Sequence, residues 1–238
     1  PTIRAFLPDL TMLSPIIMAG AFAPSGWNVR ATAPSIIYGT SRVSSLVFAA
    51  EEKDKELKVN LTAAEIKNGE NLNLINTRFN TEVDIDNIKY ALRIGDKTDI
   101  DRYIVQGNIG REPNNTYNLL INPDSLLLNY DKWDISKDNS VRFGGNILEA
   151  TNFDLSKDDQ HLRISNVDQN VNSPLKVAFD NFRLGTLTGF LQKDSLIADG
   201  TINGNILIKD IATLPNINAD LGIANLTINR DTIGDLTV

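Results

Sequence analysis

Strict alternation of apolar and polar residues is the feature that most constrains this chain. In Glu56-Leu57-Lys58-Val59-Asn60-Leu61-Thr62-Ala63 every odd position is apolar and every even one polar. Successive strand side chains point to opposite faces, so this period belongs to a strand with one apolar side. The pattern recurs along the chain: Phe79, Val83 and Ile85; Ile88, Tyr90, Leu92 and Ile94; Tyr103, Val105 and Ile109; Tyr117, Leu119 and Ile121; Leu126 and Leu128. It continues in Val141 and Phe143, Phe153 and Leu155, Leu162 and Ile164, Val177 and Phe179, then Ile202, Ile206 and Ile208. Turn formers separate the runs, as in Lys67-Asn68-Gly69, Gly95-Asp96-Lys97, Asn122-Pro123-Asp124, Lys157-Asp158-Asp159 and Ile202-Asn203-Gly204. The spacing predicts about fourteen short strands.

Composition agrees with many chain reversals. The 238 residues include 27 asparagines and 22 aspartates, side chains that cap turns and tolerate the left-handed backbone region. Helix is predicted at Leu184–Lys193, with Leu184, Leu187, Phe190 and Leu191 on one side and Thr186 as its cap, and a second short turn after Pro8 using Leu10 and Leu13. Residues 10–29 carry no charge, yet Pro15, Gly20, Pro24 and Gly26 interrupt them. They read as strand, turn and strand in place of a membrane helix. Pro1 in the place of an initiating Met, and a last strand that stops in mid-pattern, read as a slice of a longer protein.

Several function classes are excluded or disfavoured. A formal net charge of −7 opposes general nucleic-acid binding. Without cysteine there is no thiolate catalysis and no Cys-based zinc or iron–sulfur site, and one histidine, His161, precludes a multi-histidine metal site. No phosphate-cradling glycine loop or nucleophile elbow is present. Two Asp-x-Asp pairs, Asp84 with Asp86 and Asp99 with Asp101, lack the further oxygens and turn glycine of a calcium loop. They read as solvated carboxylates and His161 as an exposed turn residue, so no catalytic residue, metal ligand or cofactor is expected. Trp27 and Trp133 read as buried anchors.

An apolar face of this extent must be covered. A closed sandwich or barrel covers it with itself, whereas an open curled sheet offers it to a greasy ligand. Alternation alone does not separate the two.

Certain segments carry a resemblance that does. Gly26-Trp27-Asn28-Val29, Ala33-Pro34-Ser35-Ile36-Ile37-Tyr38-Gly39, Asn122-Pro123-Asp124-Ser125-Leu126-Leu127-Leu128-Asn129 and above all Leu175 to Val238 resemble TamB-like translocation and assembly module proteins, of the AsmA-like, bridge-like lipid transfer superfamily. The resemblance implies a periplasmic piece of an inner-membrane-anchored, envelope-spanning protein of Gram-negative cells. Its fold would be an all-β, long curled antiparallel-rich sheet, a β-taco-like groove of many short strands. Residues 1–172 would form a groove segment and 173–238 its continuation with the short helix, as one elongated unit. The implied partners are phospholipid acyl chains and, through the full-length protein, an Omp85-class outer-membrane barrel. The groove would be lined by Leu57, Val59, Leu61, Phe79, Val83, Ile85, Leu92, Tyr103, Val105, Ile109, Tyr117, Leu119, Ile121, Leu126, Leu128, Val141, Phe143, Leu162, Ile164, Val177, Phe179, Ile206 and Ile208. It would conduct phospholipid between the membranes or support outer-membrane protein assembly. The alternatives are a scaffold or chaperone that templates incoming strands at its sheet edges without carrying lipid, and a glycan-active enzyme with paired carboxylates.

Overall fold

The computed structural model describes residues 9–69, 72–145, 147–168, 172–189, 198–209, 216–229 and 231–237. Among them the protein is all-β: twenty strands in large antiparallel sheets, one helix, and no closed barrel. They form two compact units that divide between Ile104 and Val105, whereas the sequence reading changes segment at 172–173.

Unit 1 holds β1 (Leu10–Leu13), β2 (Ile17–Ala23), β3 (Gly26–Tyr38), β4 (Ser41–Lys53), β5 (Glu56–Asn68), β6 (Leu72–Val83) and β7 (Asn87–Gly95). β3 to β7 pair in chain order, and β1 and β2 both pair with β3. The uncharged stretch thus supplies β1, β2 and the start of β3, and no described helix is long and apolar enough to cross a membrane.

The ladder is interrupted along one line across the sheet, at Pro34, Ser45, Ala64 and Asn76. Ser45 and Asn76 have φ of 51° and 48° there, and the β6–β7 register shifts between Ile75 and Thr77. At this line the apolar parity changes in β3 to β6: Ala31 and Ala33 give way to Ile36, Phe48 to Val43, Leu61 to Ile66, Phe79 to Leu74. One residue out of step in each strand keeps the apolar positions on one side through the bend. Small side chains, Ala33, Ala63 and Thr77, are buried beside the crease.

β8 (Asp101–Glu112) carries the chain into unit 2. There it pairs with β9 (Thr116–Ile121), which pairs with β13 (Ser140–Gly144) and that with β14 (Ile147–Thr151). The short β10 (Leu127–Leu128) and β11 (Asp131–Lys132) pair with each other. A second sheet runs in the order β12 (Asp134–Ile135), β15 (Phe153–Lys157), β16 (Gln160–Asn166), β17 (Leu175–Arg183), β18 (Ala198–Lys209), β19 (Asn216–Ile228) and β20 (Asp231–Thr237). One apolar core joins Leu126 and Trp133, which flank β10 and β11, to Ile135, Phe179, Phe182 and Ile202 of the second sheet, and Val105, Ile121 and Leu128 of the first sheet pack against it. Trp133 packs on Phe182 at 5.5 Å between ring centroids, and Phe182 meets Phe179 edge-on at 5.7 Å.

Several expectations are corrected. The strands among the described residues number twenty because short pairings such as β10, β11 and β12 carry too few residues to show a period. The helix α1 spans Leu184–Thr188, with Arg183 at its N-cap and Thr186 inside it, not capping it. Residues 190–193 of the expected helix lie outside the described residues. The turn expected at Ile202–Gly204 lies within β18. Gly204 serves there as a close-approach residue: its φ is +120°, and a Cβ would sit 2.1 Å from the Asp220 carbonyl oxygen.

Candidate functional site

Cross-strand register shows which side chains share a face, because directly opposed residues in an antiparallel pair point the same way. In unit 1 the rows Met18–Ala31–Phe48–Leu61–Phe79–Leu92 and Gly20–Val29–Ala50–Val59–Thr81–Tyr90 lie on one face. A third row on it is Phe22–Trp27–Glu52–Leu57–Val83–Ile88. Leu57, Val59, Leu61, Phe79, Val83 and Leu92 are therefore brought together. Burial lifts the pKa of the Tyr90 phenol on this face above its ordinary value.

The opposite face is a charge ladder. Glu51, Lys58, Glu82 and Lys89 follow one another in register, with Lys58 and Lys89 at 3.6 and 3.7 Å from Glu82. Such exposed pairs contribute only tenths of a kcal/mol each, about 0.2–1. Their alternation of sign marks the wet side.

Most of the apolar rows of unit 1 are half-exposed. Its buried apolar residues among those described are Leu10, Ala33, Ala50, Ala63, Ile94 and Tyr103, largely small side chains near the crease or the strand ends. Trp27 is half-exposed as well and is no buried anchor, because its row ends on the edge strand β2, where Phe22 is 84% exposed.

In unit 2, Ile109, Leu119 and Val141 stand in one row with Ala150, and Tyr117 and Phe143 stand in the next with Leu148. Ile121 shares that face two positions along. In the second sheet Leu162, Ile164, Val177, Phe179, Ile206 and Ile208 share a face with Leu155 and Phe153. The two ends of the apolar surface differ. Val105, Ile121, Leu126, Leu128, Leu162, Val177, Phe179 and Ile206 belong to the packed core around Trp133 or lie against it. Tyr117, Leu119 and Phe143 lie outside that cluster, Tyr117 stacked on Phe143 at 5.7 Å.

Ile85 is a correction: β6 ends at Val83, and Ile85 sits 78% exposed in the turn to β7, outside any face. The turn forms because the Asp84 carboxylate accepts from the Asp86 and Asn87 amides at 3.2 and 2.9 Å. Asp84 and Asp86 are thus turn residues and not outer-strand carboxylates. Asp99 pairs with Arg78, and Asp101 with Arg78 and Arg93.

His161 also differs from its expected place. It lies in β16, half-buried, with Nδ1 at 3.0 Å from Asp154 Oδ1. Asp154 also accepts from Arg163, which reaches Asp180. Burial lowers the Arg163 pKa, and hydrogen bonds and charge from Asp154 and Asp180 more than offset it, leaving it raised. Among the described residues no three acidic, histidine or cysteine side chains are grouped to hold a metal.

No family model, no curated protein and no solved structure matches this chain. The geometry therefore stands by itself: a sheet with one apolar and one ionic side, packed at one end of unit 2 and accessible in unit 1. In unit 1 that leaves apolar surface uncovered, opposite a face of paired charges.

Proposed function

We propose that this chain is a segment of a TamB-like envelope protein whose one-sided apolar face carries phospholipid acyl chains between the inner and outer membranes. One observation carries the reading: the in-register rows of unit 1 through Phe48, Leu61, Phe79 and Leu92, half-exposed and backed by an ion ladder. Acyl chains slide along such a floor without any bond being made or broken, and head groups stay in water. The periplasmic location and the Omp85-class partner belong to the resemblance alone.

A photo-crosslinker placed in turn at Leu61, Leu92, Asn60 and Asn80 tests it. Phospholipid captured at Leu61 and Leu92 and not at the two asparagines of the opposite face is the expected result. Equal capture on both faces, or none, overturns it.

A second reading is favoured by one feature. β2 is an edge strand without charge, proline or described partner on its outer side, and Ile17, Met18 and Phe22 are all well exposed. Such an edge pairs readily with an extended segment. On this reading the chain templates strands of outer-membrane proteins. An apolar extended peptide should then slow hydrogen exchange of the outward amides of β2, and unchanged exchange sinks it.

A further inference from the structure

At the rim of the accessible apolar face in unit 2 stands a cation where the pattern calls for an apolar residue. Arg111 is directly opposite Tyr117, which is opposite Phe143, which is opposite Leu148. These four side chains therefore share one face. Arg111 is exposed and makes no ion pair with any described residue. Nearby Arg142 contrasts with it. That residue lies on the other face and is held by Glu112 at 3.0 Å and Glu149 at 2.7 Å, contacts that raise its pKa.

The face changes along the strands from dry to open. Ile121 packs against the Trp133 core, Leu119 and Val141 lie one row out, and the stacked Tyr117–Phe143 pair lies beyond, with Phe143 36% exposed. Same-face rows are about 7 Å apart, so about 14 Å of apolar surface separates the core from the row that holds Arg111. A guanidinium presents planar paired donors that suit phosphate or carboxylate. An apolar strip that ends on an unpaired guanidinium is complementary to an amphiphile with an anionic head.

We infer that Arg111, Tyr117 and Phe143 form a head-group site that selects anionic over zwitterionic phospholipid, with the acyl chain lying on Leu119 and Val141. The site rests on the lipid-carrying reading and names its substrate class.

The test uses the whole chain with a photo-crosslinker at Leu119. It is mixed with equal amounts of lysophosphatidylglycerol and lysophosphatidylcholine of one chain length, and captured lipid is identified by mass spectrometry. Captured anionic lipid should exceed zwitterionic lipid about fivefold, the worth of one exposed ion pair. Arg111→Gln should bring the ratio near one while total capture of the zwitterionic lipid is unchanged, which also reports an intact face. Arg111→Lys should keep much of the preference, and Lys132→Gln, which removes the same charge elsewhere in unit 2, all of it. Inorganic phosphate at the lipid concentration should not compete.

Capture indifferent to head group, or a preference that survives Arg111→Gln, overturns the site and leaves the lipid-carrying reading standing. Displacement by inorganic phosphate overturns an amphiphile site in favour of a plain anion contact. Absence of any capture at Leu119, with capture retained at Leu61, confines lipid to unit 1 and also overturns the site. Absence at both positions overturns the two proposals together.

Discussion

The side-chain amide of Asn166 accepts from the Ala150 amide at 2.8 Å and donates to the carbonyls of Leu148 and Ser173 at 3.1 and 3.0 Å. It ties β16 of one sheet to β14 of the other as a short strand would. Asn139, in the loop that enters β13, caps the end of the neighbouring β9, accepting from the Ile121 amide and donating to its carbonyl, both at 2.8 Å. Both side chains are buried, so a lost bond leaves backbone groups without water. Asn166→Ala should cost roughly 1–3 kcal/mol, whereas exposed Asn218→Ala should stay within about 0.5 kcal/mol; equal denaturation midpoints would remove the stitch from the account. Beside Asn139, the Asp138 carboxyl titrates below its ordinary 3.8, through the Ser136 hydroxyl first, then its own backbone amide and the Asn152 amide. A lowered folded pKa contributes stability above the unfolded value and loses it as pH falls through the folded one. The turn at Ser136–Asn139 should therefore loosen below about pH 4, seen as shifts of the Ser136 and Asn152 resonances. Those shifts should vanish in Asp138→Asn. Neither asparagine stands out in the sequence, because among 27 such residues nothing local separates a turn former from a buried bridge to another strand.

At the scale of elements the crease of unit 1 depends on backbone conformations that non-glycine residues adopt at a cost. Ser45 holds φ of 51° and is exposed. Ser45→Gly should be neutral or slightly stabilising, and Ser45→Val should cost about 1–2 kcal/mol, the penalty of a left-handed L-residue with a branched Cβ. Thermal unfolding of the two variants decides this; equal effects would mean that the crease does not rest on that dihedral. Most turns were legible, since Lys67-Asn68-Gly69, Gly95-Asp96-Lys97 and Lys157-Asp158-Asp159 all end strands. The same chemistry misled at Asn203-Gly204, where β18 continues. There β17 bulges at Asp180 and Asn181, the latter with φ of 47°, against Asn203 of β18, while Gly204 stays in register with Phe179. A glycine in a strand marks either a reversal or a close approach, and which one depends on the neighbouring strand.

At the scale of the whole molecule the division that matters is between apolar surface that is dry and apolar surface that is open. Phe143 and Phe182 are both apolar residues of strands, but the first is accessible and the second is 1% exposed in the core. Phe143→Asp should keep the fold within about 1 kcal/mol, because its carboxylate reaches water. Phe182→Asp buries an unpaired charge and should cost at least about 3–5 kcal/mol. Urea unfolding of both, read by tryptophan fluorescence from Trp133, separates the cases, and comparable losses would mean that the face around Phe143 is closed. The all-β class is legible in the sequence alone and, within each regular stretch of strand, so are the residues that share a side, since the two-residue period is a local steric property of extended backbone. Only the tertiary structure decided that Ile121 is packed while Phe143 is open, that Ile85 leaves the sheet, and that Arg111 stands beside Tyr117 and Phe143. Burial and cross-strand neighbours are sums over chain segments far apart in sequence, and a one-residue step such as the crease shifts which positions face the apolar side without altering any local composition.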